Sequence, residues 1–148
     1  MRIRRHAGFT LLEVIVALVI AAIAYSLIIG AVSRGASSGD LKFTARTLAS
    51  GLRQAQSTAM ATRRDALLTL DLEAKEYVVA GGSEVHRLPE KVDIQLYTAQ
   101  TEVVSEKRGS IRFYPDGSST GGRITVSSGE RKYLVDVDWL TGRVTIED

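Results

Sequence analysis

The sequence predicts an α+β protein in which a long N-terminal helix packs by its second half on an antiparallel, β-rich C-terminal domain. Three observations predict it. An apolar run extends from Phe9 to Val32, a stripe of leucines and alanines recurs at helical spacing from Leu41 to Ala59, and beyond Asp65 the hydrophobic period drops from about 3.6 to 2. The chain divides accordingly into a basic leader (1–8), an apolar half-helix (9–33), a linker with an amphipathic half-helix (34–64) and a β-rich domain (65–148).

Composition narrows the class before any motif is read. The 148 residues, 45% hydrophobic, suffice for one modest domain and an anchor. Lys and Arg number 19 against 17 Asp and Glu, but Arg2, Arg4 and Arg5 lie in the first eight residues, so the chain after Gly8 carries 16 basic against 17 acidic groups. The basic character belongs to the leader and does not argue for a nucleic-acid partner. With no cysteine, the fold rests on packing alone, without disulfides or thiolate-bound metals.

The first element is the 24-residue run Phe9–Val32, interrupted by one carboxylate, Glu13. About 20 apolar residues cross a bilayer as a helix. The basic MRIRRHAG before it favours a cytoplasmic N-terminus, with everything after Val32 on the far side. A secretory signal peptide shares this polarity, but its apolar region is about 7–15 residues and uncharged at its start. A plain anchor leaves Glu13 unexplained, since a carboxylate in hydrocarbon costs about 2.5–3.5 kcal/mol. Cleavage between Gly8 and Phe9 would create an α-amine four residues before Glu13, within one chain or between neighbouring copies. Such a pair offsets the burial of both charges and penalises a copy out of register.

These residues carry a specific resemblance. Gly8-Phe9-Thr10-Leu11-Leu12-Glu13-Val14, after a short basic leader and before an apolar helix, resembles the cleavage and methylation motif of type IV prepilins and type II secretion pseudopilins. The resemblance covers roughly residues 4 to 33. It implies that prepilin peptidase cuts after Gly8, that Phe9 becomes the N-methylated first residue, and that Glu13 is the fifth residue of the mature chain. The sequence departs from many pilins in carrying Gly30 where they have a proline.

The second element follows a Gly- and Ser-rich stretch, Gly30–Gly39, which reads either as a linker or as a bendable part of one long helix. Leu41, Leu48, Leu52, Ala55 and Ala59 then share one helical face, with Lys42, Arg46, Arg53 and Gln54 largely elsewhere. The helix ends near Arg63-Arg64, basic residues that suit a helix C-terminus. Its stripe is read as packing on the chain's own domain.

Seven strands are predicted after Asp65: Ala66–Leu72, Glu76–Ala80, Lys91–Tyr97, Ser110–Tyr114, Arg123–Val126, Lys132–Asp138 and Arg143–Glu147. Gly81-Gly82, Pro115-Asp116-Gly117, Gly121-Gly122 and Thr141-Gly142 supply the turn chemistry between them. Val92, Ile94 and Leu96 alternate with Asp93, Gln95 and Tyr97, and Tyr133, Val135, Val137 and Trp139 repeat the dry phase.

Little in the sequence reads as catalytic or cofactor chemistry. His86 is the one histidine after the leader, and neither a metal-ligand pattern, a nucleophile elbow nor a phosphate loop is present. Asp116, Asp136 and Asp138 could supply oxygens to a cation, but Asp136 and Asp138 alternate with apolar residues as the wet face of a strand. The basic pairs Arg63-Arg64, Lys107-Arg108 and Arg131-Lys132 lack interleaved aromatics for stacking bases. No cofactor, metal, small-molecule ligand or nucleic acid is expected, and the chain is read as a non-enzyme.

The segment from Ile111 to Ile124, with the Phe113-Tyr114-Pro115-Asp116-Gly117 turn and Gly121-Gly122, followed by Val135–Val144 with Thr141-Gly142, resembles the domain of H-type minor pseudopilins and related minor type IV pilins. The resemblance covers roughly Ser110 to Ile146. It implies a pilin-like fold with a sandwich-like β domain in the periplasm, an anchor in the bacterial inner membrane, and a place near the tip of a type II secretion pseudopilus. The implied partners are prepilin peptidase, the major pseudopilin and other minor pseudopilins. The alternative is a minor type IV pilin of the FimT/FimU type, serving pilus assembly or DNA uptake, although the chain ends in the acidic Ile146-Glu147-Asp148 and not in a basic tail.

Overall fold

The computed structural model describes residues 11–32, 36–80, 82, 84–105 and 107–148. They form two compact units, one ending at Arg34 and the other spanning Gly35–Asp148.

The first unit contains helix α1, Leu11–Val32, whose described side chains are apolar except for Glu13 in its first turn and Tyr25. A 22-residue helix is about 33 Å long at ~1.5 Å per residue. Side chains on α1 are described as far as Tyr25, and among the described residues no helix is long and apolar enough to cross a membrane. The helical backbone itself continues through Gly30 to Val32.

The second unit opens with helix α2, Ser38–Thr62. The backbone at Ala36 and Ser37 is not helical, and α2 has its own start signal. Asp40 N–H donates to Ser37 Oγ at 3.2 Å while Ser37 N–H donates to Asp40 Oδ2 at 3.1 Å. This reciprocal capping box satisfies two amides that the first turn leaves without partners. At the other end Arg63 adopts the left-handed conformation (φ 53°), so the two arginines lie just past the last turn and not within it.

The predicted stripe is the buried face of α2: Leu41, Leu48, Leu52, Ala55 and Ala59 are all within 1% of full burial. Each such leucine removes enough apolar surface from water to contribute about 1.5–3 kcal/mol. Lys42, Arg46, Arg53 and Gln54 are exposed. Small residues extend the stripe and bring the helix close to the sheet. A β-carbon on Gly51 would lie 2.8 Å from the Tyr77 ring and 3.0 Å from Leu68 Cδ1.

Nine strands build two antiparallel sheets. They are β1 (Ala66–Asp71), β2 (Glu76–Val79), β3 (Val85–Arg87), β4 (Asp93–Thr98), β5 (Val103–Ser105), β6 (Arg108–Phe113), β7 (Gly122–Ser128), β8 (Arg131–Val137) and β9 (Val144–Glu147). The first sheet runs β3-β2-β1-β6-β5 and the second β4-β7-β8-β9. All seven predicted strands are present with ends shifted by a few residues. The additions, β3 and β5, are three-residue edge strands whose residues are exposed or half-buried, so they lack the alternation that marks a strand.

Leu68, Leu70, Ile111 and Phe113 from one sheet meet Ile124, Val126 and Val135 from the other, and α2 packs on β1, β2 and β6 of the first and β7, β8 and β9 of the second. The predicted dry phase of β4 holds, with Val92 buried and Ile94 and Leu96 half-buried between exposed Asp93, Gln95 and Tyr97. In β8 it holds through Val137 and then fails. Trp139 is 66% exposed, because the strand ends at Val137 and the chain turns before the alternation reaches it.

Polar groups buried with the core are satisfied. Glu102 accepts from Arg112 Nε at 2.9 Å, and Arg112 also reaches Asp65 at 3.2 Å. Among the described residues no buried side-chain nitrogen or oxygen lacks a partner.

Candidate functional site

Two regions carry the residues singled out by the sequence: the front of α1 and the turns at one end of the β domain. Gly8 and Phe9 lie outside the described residues. Glu13 is in the first turn of α1, where a carboxylate is favoured by the unpaired amides and by the helix dipole.

The turn motifs come together. Residues 114–118 form a tight reversal in which Gly117 N–H donates to the Tyr114 carbonyl at 2.9 Å and Tyr114 N–H to the Ser118 carbonyl at 2.9 Å. Pro115 is exposed at its corner. Asp116 Oδ1 accepts from Ser118 Oγ at 2.6 Å and Ser118 N–H at 2.9 Å. The hydroxyl, then the amide, hold the Asp116 carboxyl below the usual carboxylate range.

The turn between β8 and β9 repeats this chemistry. Asp138 Oδ1 accepts from Thr141 Oγ1 at 2.7 Å and Thr141 N–H at 2.8 Å, and these bonds, in that order, depress the Asp138 carboxyl. Gly142 N–H donates to the Asp138 carbonyl at 2.8 Å with φ +61°, a conformation that penalises any side chain. A β-carbon there would also collide with the Gly117 carbonyl. The two turns, distant in sequence, are therefore in direct contact.

Helix α2 clasps both. Gln56 Nε2 donates to the Gly117 carbonyl at 2.9 Å and to the Thr141 carbonyl at 3.0 Å, and Ser119 N–H donates to the Trp139 carbonyl at 2.8 Å. The sequence reading passed over Gln56. Its signal was position: it stands four residues after Leu52 and three before Ala59, a polar side chain at the edge of the apolar stripe.

Gly121-Gly122 has a different role from the hairpin reversal expected of it. Gly122 opens β7 and pairs with Thr98 on one side and Val137 on the other. A β-carbon on Gly122 would lie 2.8 Å from the Tyr97 carbonyl, so the pair serves close backbone approach and not reversal. At the Gly81-Gly82 turn, Gly82 N–H donates to the Val79 carbonyl at 3.0 Å, and Gly81 lies outside the described residues.

The aspartates considered for a cation have other work. Asp136 accepts from Arg123 Nε at 2.6 Å, while Asp116 and Asp138 cap their turns. Among the described residues no group of three or more His, Asp or Glu side chains is arranged to hold a metal. His86 stacks on Tyr77 with ring centroids 4.8 Å apart. Burial, reinforced by the charge of Glu84, pushes the Tyr77 phenol up.

An apolar N-terminal helix, followed by a capped amphipathic helix laid across two antiparallel sheets, defines a pilin-like protein. Within that class the chain belongs to the family described as Type II transport protein GspH, whose model matches residues 44–142. The Prokaryotic N-terminal methylation motif matches residues 3–29. Type II secretion system protein H of Xanthomonas campestris pv. campestris is 29% identical over 141 residues, covering 95% of this chain and 83% of that protein. The type IV minor pilin FimU of Pseudomonas aeruginosa has a similar fold, with a TM-score of 0.58 at 15% identity over 74% of this chain and 90% of its own. The minor pseudopilin EpsH of the Vibrio cholerae Type 2 Secretion System also gives a TM-score of 0.58, at 10% identity over 73% of this chain and 96% of its own.

Proposed function

We propose that the chain is a minor pseudopilin, a structural subunit near the tip of the pseudopilus that a type II secretion system uses to move proteins across the outer membrane. The observation that carries this reading is the extent of the family match, residues 44–142, which takes in most of α2, every strand but β9 and both clasped turns. The fold alone favours neither system, since the minor pilin and the minor pseudopilin give the same TM-score of 0.58. The protein H relative and the family match favour secretion over the pilus.

In this reading prepilin peptidase cuts after Gly8, Phe9 is N-methylated, and α1 holds the protein in the inner membrane with its N-terminus cytoplasmic and the β domain in the periplasm. Glu13 pairs with the α-amine of Phe9, in its own chain or a neighbour's, and so sets register as the helices pack with the major and other minor pseudopilins. The work is mechanical and needs neither catalysis nor a cofactor. Deleting the gene and measuring both outputs tests the assignment. Proteins of the type II route should accumulate in the periplasm while pilus-dependent behaviour is retained; loss of pili with normal secretion supports the minor-pilin alternative.

A further inference from the structure

The reversal at residues 114–118 holds side by side two groups that react with one another when nothing restrains them. The chain contains no asparagine and a single Asp-Gly bond, Asp116-Gly117. The carboxyl carbon of an aspartate is placed to close a five-membered ring onto the nitrogen of the next residue, and glycine, having no β-carbon, obstructs that nitrogen least. Attack of the Gly117 nitrogen on Asp116 Cγ forms a C–N bond, and the carboxyl hydroxyl leaves as water with the amide proton. A cyclic imide remains, which water opens at either carbonyl. Opening at the main-chain carbonyl carbon breaks its bond to the Gly117 nitrogen and leaves isoaspartate, whose backbone runs through Cβ and Cγ. One water is lost and one regained, and nothing is oxidised or reduced.

In the folded domain both reacting groups are occupied. The nucleophile gives its proton to the Tyr114 carbonyl at 2.9 Å. The electrophile accepts on Oδ1 from Ser118 Oγ at 2.6 Å and from Ser118 N–H at 2.9 Å, bonds that favour the ionised carboxylate. An ionised carboxylate cannot release its oxygen as water. The Gly117 carbonyl is held in turn by Gln56 at 2.9 Å. Asp116 itself is exposed, so water for the second step is at hand once the ring has closed.

The product does not fit this turn. Gly117 is buried against α2 and the β8–β9 turn: a β-carbon on it would lie 3.6 Å from Met60 Sδ, and one on Gly142 would collide with its carbonyl. An extra backbone carbon between positions 116 and 117 displaces Gly117 from that slot and from Gln56.

We propose that Asp116 is a covalent modification site that converts spontaneously to isoaspartate when the 114–118 turn opens, and that Ser118 and Gln56 guard it by keeping the turn closed. Conversion records the opening in the covalent structure and releases the clasp between the two turns. The proposal is independent of the filament reading.

The test follows the full-length protein in detergent at neutral pH over weeks. Isoaspartate is located by mass spectrometry of the peptides and quantified with a methyltransferase that labels isoaspartyl carboxyls. Folded wild type should gain little at position 116, and the same chain in urea should gain it there about tenfold faster or more, since modification of a transiently opened site follows the open population. Ser118→Ala and Gln56→Ala should each raise the folded rate about fivefold or more, the shift in population expected when such hydrogen bonds are lost. Gln56→Ala serves if Ser118→Ala does not fold. Asp116→Glu, which would have to close a six-membered ring, should give no product at this position even in urea. The modified fraction, separated by chromatography, should melt below the unmodified protein. Wild-type rates in both folded variants, or a folded wild type that isomerises as fast as the chain in urea, overturn the proposal. Isoaspartate in urea at other aspartates but not at position 116 overturns it as well, and so does a modified fraction that melts like the unmodified one.

Discussion

Gln56 and Thr141, 85 positions apart, are joined by a 3.0 Å hydrogen bond from the glutamine amide to the threonine carbonyl, and the same amide nitrogen holds Gly117 at 2.9 Å. One side chain of α2 thus fixes both turn motifs of the β domain. Gln56→Ala removes two hydrogen bonds of about 0.5–1.5 kcal/mol each. A loss of about 1–2 kcal/mol is expected in urea unfolding, lowering the midpoint without changing the slope. Gln54→Ala, at an exposed residue on the same helix, is the control and should be neutral.

Gly142 and Gly129 separate conformational strain from collision. Both have positive φ, 61° and 62°, but a β-carbon on Gly129 meets nothing within 4 Å, whereas one on Gly142 meets the Gly117 carbonyl and Gln56. Gly129→Ala should cost about 1–2 kcal/mol, the ordinary left-handed penalty. Gly142→Ala should cost clearly more by the same denaturation measurement, because the two turns must also separate.

Acid should loosen the two clasped turns and, at the far end of β6, the turn after β1. Hydrogen bonds depress the carboxyls of Asp116 and Asp138, and the amide of Ala74 followed by the Arg108 side chain depresses that of Asp71. A carboxyl with a lowered folded pKa binds fewer protons folded than unfolded, so its stabilisation is full above the unfolded value, about 3.9, and is lost as pH falls through the folded value. Urea midpoints should therefore hold through neutral pH and decline on acidification below about 4–5. Asp138→Asn, which keeps an oxygen to accept from Thr141, should flatten that decline.

What was legible in the sequence had redundant physical support. The stripe from Leu41 to Ala59 matches one helical face and is buried throughout, and the alternation in β4 sorts Ile94 and Leu96 from Asp93 and Gln95. Asp116 and Asp138 were legible as turn and wet-face residues, though not as caps. Edge strands β3 and β5 were not, because three residues without a buried phase leave no period. Trp139 was misplaced because alternation says nothing about where a strand stops. The Gly121-Gly122 dipeptide looks the same whether it turns the chain or admits a neighbouring backbone, and only the pairing of Gly122 with both Thr98 and Val137 separates the two. The contact between the two turns, and its clasp by Gln56, depends on long-range packing that no local window contains.

Glu13 tests the register argument. Glu13→Ala removes the carboxylate and its cost of about 2.5–3.5 kcal/mol in hydrocarbon, so insertion into the membrane should be retained. Entry into the filament should fall, as read by the amount of the variant co-purifying with the major pseudopilin. Assembly at the wild-type level removes the pairing argument.

Maturation of the chain as a pilin-like filament subunit is tested most directly by the N-terminus of the protein recovered from its own cell membranes. Mass spectrometry should find a chain that begins at N-methylated Phe9, and Gly8→Leu should leave the uncut precursor. A wild-type chain that keeps Met1, or that begins beyond Val32 as a signal-peptide product would, contradicts it.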